Sequence, residues 1–224
     1  MARNAPSQRD NRIAVIGLGR FGSSLAQELT RRGSEVLAMD TRADLVQRFA
    51  EEITHAVVAD STDAEALRQL GVHEFRRAVV SIGDNLEASI LTTSLLADFE
   101  IPQIWAKAVN RQHGRILERV GAQHVVLPEH DMGERVAHLV TGRMLDFIEF
   151  ADDYAMVKTR APAAALEQPL GSSRVRSHYG VTVVAIKRPG EGFTYATQET
   201  VLHRGDILIV SGRTRDVERF ADLT

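Results

Sequence analysis

The sequence predicts an α/β protein in which a doubly wound parallel sheet of six strands precedes a small α+β module. Two observations point to this fold. From Arg12 onward, short apolar runs alternate with longer stretches in which apolar residues recur at helical spacing, which is the order of a parallel sheet with crossover helices. After Phe150 the sequence changes to strand-like segments separated by turns rich in proline and glycine. The chain is therefore predicted to contain a larger α/β domain and a smaller second domain.

Composition argues against several classes of function. The 224 residues carry a formal net charge of −3 and the pI is near 6.2, so we expect no nucleic-acid partner. The chain has no cysteine, which excludes disulfides, thiolate metal sites and cysteine nucleophiles. Residues 1–10 are polar and are expected to form a disordered tail. No apolar run approaches the roughly eighteen residues of a membrane span, so we expect no direct membrane insertion.

The predicted strands of the first domain are apolar runs rich in β-branched residues, as expected for strands buried on both faces. They lie at Arg12–Ile16, Glu35–Met39, His55–Ala59, Arg77–Ser81, Gln103–Ala108 and His124–Leu127. The helices predicted between them lie at Gly22–Arg31, Ala43–Glu51, Asp63–Leu70, Leu86–Phe99 and Gln112–Val120. Six parallel strands with such crossovers make a Rossmann-like sheet.

A long helix is predicted at Asp131–Phe150, because Met132, Val136 and later apolar residues recur near helical spacing. Its apolar face is broader than a solvated connector needs. The helix either packs on its own sheet or crosses to a neighbouring subunit, and spacing alone does not decide between the two. Thr214–Leu223 is predicted to form the closing helix of the second domain.

These elements divide the chain into four predicted segments. They are a tail at 1–10, a sheet domain at 11–130, a crossover or hinge helix at 131–152 and an α+β ligand-binding domain at 153–224.

The first predicted strand runs into Gly17-Leu18-Gly19-Arg20-Phe21-Gly22, a G-x-G-x-x-G motif. The motif alone is weak, because glycines cluster by chance in many turns, but here an apolar strand enters it and a helix leaves it. In that setting the glycines permit a tight turn, close approach of a phosphate to the backbone, and close packing of the helix. The helix N-terminus then presents free N–H groups to the phosphates. The motif therefore predicts a nucleotide site.

Asp40 stands eighteen residues after Gly22, at the end of the second predicted strand. A carboxylate at this point accepts hydrogen bonds from both ribose hydroxyls and repels a 2′-phosphate. The alternative is a turn of glycines followed by an aspartate that merely caps its strand. The nucleotide site is favoured, because a strand, the glycine motif, a helix and an acidic residue follow one another at the expected spacing.

Other candidate residues follow the remaining strands, at the edge where ligands of open α/β sheets bind. Lys107 either neutralises phosphate charge or is a solvated surface lysine. Glu129 either holds a hard divalent cation against phosphates or caps the next helix, and spacing alone favours the cap. The other candidates are Asp60, Ser61 and Thr62 after the third strand, and Ile82 and Gly83 after the fourth.

The sequence contains a nucleotide site without an evident substrate site. A dehydrogenase needs a positioned acid or base, usually supplied by a sizeable second domain, whereas the second domain here is small. His113 is the best candidate for such a base, although we interpret it as a surface histidine. We therefore favour a ligand-gated sensor, and no enzyme, over a small NAD(H)-dependent oxidoreductase. An NADH-sensing repressor would need a basic recognition helix, which neither end of the sequence supplies.

Several segments resemble proteins of the RCK (KTN) family. The segments IAVIGLGRFG, VLAMD, DNLEASILTTSLLAD, IPQIWAKA and HVVLPEHDMG are similar to its N-terminal nucleotide-binding domain, TrkA-N. The segments SHYGVTVVAIKRPG and LHRGDILIVSG are similar to its C-terminal domain, TrkA-C. The resemblance covers nearly the whole chain, and it is closest to the regulatory subunits of Ktr-type potassium transporters.

The resemblance implies a cytoplasmic nucleotide sensor held at the inner face of the membrane by a membrane-embedded potassium-translocating partner. It implies a homo-oligomer in which dimers assemble into an octameric gating ring, with ATP and ADP favouring different ring shapes. Gly17, Gly19 and Gly22 would then cradle the phosphates, Asp40 would hold the ribose, and Arg20 would reach the nucleotide of the paired subunit.

The resemblance also affects Glu129, which aligns with a family glutamate near the ATP phosphates. This favours Mg²⁺ or another cation at Glu129 over the cap, and it makes the helix at 131–150 a swapped interface element. Asp60 departs from the asparagine that relatives often carry, and the extra carboxylate would alter the adenosine side of the site. NAD(H) stays open beside ATP and ADP, because Asp40 accepts any ribose with free hydroxyls. Arg176 matches a position that contacts the phosphate of cyclic di-AMP in relatives, but Gly171 replaces an aliphatic side chain there. Binding of cyclic di-AMP by the second domain is left open.

Overall fold

A computed structural model describes residues 11–140, 144–150 and 152–223 and divides the chain into two compact units. The first unit ends at His130 and the second begins at Asp131. The predicted tail at 1–10 lies outside the described residues. Among the residues that are described, no helix is long and apolar enough to cross a bilayer.

The first unit is a parallel sheet with helices between its strands. Its strands are β1 (Arg12–Ile16), β2 (Glu35–Asp40), β3 (His55–Val58), β4 (Arg77–Val80), β5 (Gln103–Lys107) and β6 (His124–Val126). Its helices are α1 (Arg20–Arg31), α2 (Ala43–Phe49), α3 (Ala64–Gln69), α4 (Leu86–Asp98) and α5 (Arg111–Arg119), with a 3₁₀ turn at Val72–Glu74. The strand order is β3-β2-β1-β4-β5-β6 and every pair is parallel, which confirms the predicted doubly wound sheet.

The sheet is buried on both faces because successive strand residues are apolar on either side. Ile16 and Leu96 belong to the core that the sheet forms with α3, α4 and α5. Val15 and Ala26 belong to the core on the opposite face, with α1 and α2. Since winding reverses between β1 and β4, the loops that leave these two strands diverge and open a crevice at the carboxyl edge of the sheet.

The second unit contains an antiparallel sheet. Its strands are β7 (Met144–Phe150), β8 (Tyr154–Arg160), β9 (Thr182–Lys187), β10 (Phe193–Tyr195) and β11 (Ile207–Arg213), in the order β10-β9-β11-β8-β7. Helix α6 (Pro128–Val140) precedes these strands in the chain. The later helices are α7 (Leu170–Ser173), α8 (Val175–Tyr179) and α9 (Thr214–Ala221), with a 3₁₀ turn at Ala163–Ala165. The predicted closing helix is confirmed, because α9 begins at Thr214 and buries Phe220 in the core of this unit.

The predicted helix at Asp131–Phe150 is wrong in its second half. Helix α6 spans Pro128–Val140, and Met144–Phe150 is strand β7, which pairs antiparallel with β8. Asp152 and Asp153 both adopt left-handed backbone angles (φ 64° and 56°), which aspartate tolerates better than most residues, and they turn the chain back on itself. The apolar residues of Met144–Phe150 therefore belong to a strand of the sheet and not to a helix. Whether α6 crosses to a neighbouring subunit stays a prediction.

The two faces of β7 provide a test of whether Met144–Phe150 forms a strand or a helix. Phe147 is buried in the core of the second unit, whereas the side chain of its neighbour Ile148 is 49% exposed. We expect Phe147→Ala to lower the free energy of unfolding by about 3–5 kcal/mol, because it leaves a cavity, and Ile148→Ala to lower it by less than about 1 kcal/mol. Urea denaturation measures both. Similar losses would favour a helix, in which both residues belong to the same broad apolar face.

Candidate nucleotide-binding site

The turn between β1 and α1 requires its glycines at two positions. Gly17 has a φ of 96°, which a residue with a side chain rarely adopts, and its N–H donates to the Met39 carbonyl over 2.8 Å. A Cβ atom at Gly22 would overlap the Gly17 carbonyl oxygen and Ser81 Oγ. By contrast, a Cβ atom at Gly19 would meet no atom within 4 Å. The backbone at Gly19 is therefore open to a ligand, as a phosphate cradle requires.

Ser81, at the end of β4, fixes this turn from the neighbouring strand. Its Oγ donates to the Gly17 carbonyl over 2.6 Å and lies 2.9 Å from the Ile16 carbonyl. Its side chain is buried. The sequence places Ser81 at a strand end but gives no sign that its hydroxyl clamps the glycine turn, because that contact joins residues more than sixty positions apart.

Asp40 ends β2 beside the glycine turn, and backbone groups orient its carboxylate. Oδ2 accepts the Leu18 N–H over 2.7 Å, and Oδ1 accepts the Arg42 N–H over 2.9 Å. Each carboxylate oxygen can accept further hydrogen bonds. Two oxygens held in one orientation, with acceptor capacity left on each, are suited to a vicinal diol such as that of a ribose.

A cavity of about 790 Å³ lies over these residues, within the size range of small-ligand sites. The structure brings twelve of the fourteen predicted site residues to its wall: Gly17, Gly19, Arg20, Phe21, Asp40, Asp60, Ser61, Thr62, Ile82, Gly83, Lys107 and Glu129. Gly22 instead lies beneath the turn, where it allows α1 to approach Gly17. The sequence did not single out four polar residues that also line the cavity: Thr41, Arg42, Asp84 and Asn85.

Lys107 and Glu129 form an ion pair at the cavity wall. Lys107 Nζ lies 2.7 Å from Glu129 Oε1, and the exposed fractions of the two side chains are 12% and 60%. This hydrogen bond lowers the pKa of Glu129, and the nearby charge of Arg20 contributes in the same direction. Lys107 is therefore no freely solvated lysine. Its ammonium passes close to Gly83, where an added Cβ would lie 3.2 Å from Nζ.

Glu129 does not by itself provide a metal site. Metal sites in proteins need several oxygen or nitrogen ligands, and no group of three histidine or acidic side chains that could hold an ion occurs among residues 11–140, 144–150 and 152–223. The carboxylate is already bonded to an ammonium group. It also lies in the first turn of α6, directly after Pro128, where a negative charge is favourable to the helix. A cation held between Glu129 and the phosphates of a bound nucleotide stays a prediction, because the phosphates would supply further oxygen ligands.

Asp60 is held within its own loop. Its Oδ1 accepts the Thr62 N–H over 2.9 Å and the Thr62 hydroxyl over 2.7 Å. These two bonds lower the pKa of Asp60, so the side chain is an anion at neutral pH. The Asp60 carboxylate is thus partly occupied in stabilising the loop after β3.

His113 is not a surface residue, contrary to the prediction. Its side chain is only 3% exposed, Nδ1 accepts the Val109 N–H over 3.4 Å, and burial lowers its pKa. It lies in the first turn of α5, which Asn110 caps by accepting the His113 N–H. His113 does not line the cavity, so it is not placed to act as a base on a ligand there.

Arg176 lies in the second unit, on helix α8, and its side chain is exposed. Nearby, the Gly171 N–H donates to the Gln198 carbonyl over 2.9 Å, and a Cβ at Gly171 would lie 3.3 Å from that oxygen. Glycine at this position thus allows a close backbone contact that a larger residue would strain. Cyclic di-AMP binding at Arg176 stays a prediction.

Comparison with known proteins agrees with this architecture. Residues 13–128 match the TrkA-N domain family and residues 155–224 match the TrkA-C domain family. The chain is 41% identical over 209 residues to Ktr system potassium uptake protein C of Bacillus subtilis (strain 168), covering 93% of this chain and 95% of that protein. It is 38% identical over 213 residues to Ktr system potassium uptake protein A of the same organism, covering 95% and 96%.

A solved structure has the same fold. The crystal structure of the GsuK RCK domain superposes with a TM-score of 0.66 over 98% of this chain, at 20% identity, and this chain spans 48% of its length. With the two family matches, which together span most of the sequence, this confirms the resemblance drawn from the sequence segments. The chain belongs to the RCK family, and in it a TrkA-N domain is followed by a TrkA-C domain.

Proposed function

We propose that this protein is a nucleotide-sensing regulatory subunit of a potassium-uptake system, and that its first unit binds ATP and ADP. The observation that carries the proposal is the Asp40 carboxylate, which two backbone N–H groups hold beside an open glycine turn. Potassium uptake is supported by the names of the relatives, which align with this chain over almost their whole length.

The charges around the cavity suit an adenine nucleotide with a free 2′-hydroxyl. Asp40 accepts hydrogen bonds from the ribose and repels a 2′-phosphate. The phosphates then lie over Gly19 at the N-terminus of α1, near the Lys107 side chain, which lines the same cavity. NAD(H) carries the same adenosine with free hydroxyls, so the ribose contact alone does not distinguish it from ATP and ADP.

The Lys107–Glu129 ion pair offers a way to distinguish ATP from ADP. A terminal phosphate that reaches this end of the cavity competes with Glu129 for the Lys107 ammonium. ATP competes more strongly than ADP, because its triphosphate is longer and carries more negative charge. A ligand changes a conformational equilibrium only through its different affinities for the two states, so a contact that ATP makes and ADP does not is what gating requires.

We also propose how the subunits assemble. Subunits of this kind form a homo-oligomeric ring, with an octamer as the expected size, and the ring docks on a membrane-embedded potassium-translocating partner. In the ring, Arg20 reaches the nucleotide of the paired subunit. The nucleotide acts as a ligand and not as a redox cosubstrate, a view supported by the position of His113, which is buried away from the cavity.

The ribose contact is tested by Asp40→Asn. An amide cannot accept the Leu18 and Arg42 N–H groups on both atoms, and it also loses one acceptor for the ribose diol. We expect calorimetry to give at least about tenfold weaker binding of ATP and ADP. Asp44→Asn is the matched control, because Asp44 is an exposed acid near the same loop that pairs with Arg42 and does not line the cavity.

The same titrations, extended to NADH and cyclic di-AMP, test the ligand class. Binding of NADH with no response to ATP or ADP would contradict the proposal. Wild-type affinity for ATP and ADP in Asp40→Asn would also contradict it, since the nucleotide would then not use Asp40.

The ion pair is tested by Glu129→Gln, which keeps the shape of the side chain and removes its charge. Without divalent cations, we expect ATP to bind about threefold more tightly, because one negative charge leaves the phosphate end of the cavity, and ADP to change less. Glu65→Gln is the control, since Glu65 also lies in the first turn of a helix but does not line the cavity. A loss of ATP affinity confined to buffers with Mg²⁺ would show instead that Glu129 binds the cation.

A further inference from the structure

Helix α4 packs on the sheet with an unusual set of side chains. Ser89, Thr92 and Thr93 are each fully buried, where helices on such a sheet normally bury apolar residues. Thr93 Oγ1 bonds within its own helix, donating to the Ser89 carbonyl over 2.7 Å. Thr92 does not. Its Oγ1 lies 2.8 Å from Ser61 Oγ, in the loop after β3.

Ser61 is a wall residue of the nucleotide cavity, although only 6% of it is exposed. Its loop is internally braced, because Thr62 donates two hydrogen bonds to Asp60 and the Asp63 side chain caps α3. These hydrogen bonds lie within the loop and the first turn of α3 and do not reach α4. The Ser61–Thr92 bond joins the loop to α4.

The first turn of α4 forms another wall of the same cavity, through Asn85 and Ala88. Thr92 follows Ala88 by four residues, so the two side chains lie on the same face of the helix, one turn apart. The bond to Ser61 therefore fixes the distance between the loop after β3 and the part of α4 that lines the cavity.

The order of the strands indicates which part of a nucleotide these walls would meet. The glycine turn follows β1, Asp40 follows the neighbouring strand β2, and Ser61 follows β3 at the edge of the sheet. With phosphates at the glycine turn and the ribose at Asp40, the base extends further in the same direction. Ser61 therefore belongs to the base side of the cavity, and Thr92 contacts it from α4 without lining the cavity.

We propose that Ser61 and Thr92 are a positioning pair, which holds the base-side wall of the cavity against α4 so that the nucleoside is bound in a preformed cleft. The proposal rests on the proposed nucleotide binding. The two hydroxyls act on the position of the wall, and neither has to contact the ligand. Removing one leaves the other buried without its partner, which is costly enough to displace the loop.

The test compares two adjacent threonines. We expect Thr92→Val and Ser61→Ala each to weaken binding of ATP, ADP and AMP by about fivefold to tenfold in calorimetry. The loss should be equal for the three ligands, because it arises on the base side. The double variant should bind no more weakly than either single variant, and Thr92→Ser, which keeps the hydroxyl, should bind as wild type does.

Thr93→Val is the matched control. It also removes one buried hydroxyl hydrogen bond from α4, but that bond stays inside the helix, so nucleotide affinity should not change. Equal affinities in Thr92→Val and Thr93→Val would overturn the positioning pair while leaving nucleotide binding intact. Additive losses in the double variant would also overturn it. A wild-type protein that binds none of the three nucleotides would overturn the proposed function together with this inference.

Discussion

The close approach of helix α1 to the turn after β1 is the constraint on which the candidate nucleotide site depends. Gly22 has no room for a Cβ between the Gly17 carbonyl and Ser81, and the Ser81 hydroxyl bonds to that same carbonyl. With the turn held in this way, the Leu18 N–H reaches Asp40 and orients its carboxylate. Three strands thus contribute to one rigid feature, and the cavity forms above it because Gly19 leaves the backbone uncovered.

Two carboxylates of the cavity, Glu129 and Asp60, have hydrogen-bond partners before any ligand arrives. Glu129 is bonded to Lys107 and Asp60 to Thr62, and both contacts lower the pKa of the carboxyl group. A carboxylate with a lowered folded-state pKa stabilises the fold above its unfolded pKa, and this contribution is lost as the pH falls through the folded value. Both groups are therefore ionised around neutral pH. The proposed ligand would act here by exchanging hydrogen-bond partners, with no change of protonation required.

Much of the fold and the candidate site could be predicted because the signals were local. A buried parallel strand is a continuous apolar run, and the glycine turn with Asp40 lies within a single βαβ unit. Features that depend on distant contacts could not be predicted. The hydrogen bonds from Ser81 to Gly17 and between Ser61 and Thr92 join residues that are far apart in the sequence. The burial of His113 likewise depends on the packing of distant segments around it. Strand β7 was missed because its apolar spacing also fits a helix, although the two aspartates at Asp152 and Asp153 already indicated a turn.

The most direct measurement is a crystal structure of the protein grown with saturating ADP. We predict one nucleotide in the cavity of the first unit, with the ribose hydroxyls within hydrogen-bonding distance of the Asp40 carboxylate and the phosphates over Gly19. Density for ADP elsewhere on the chain, or a cavity that stays empty at saturation, would contradict the claim that the glycine turn and Asp40 form a nucleotide site.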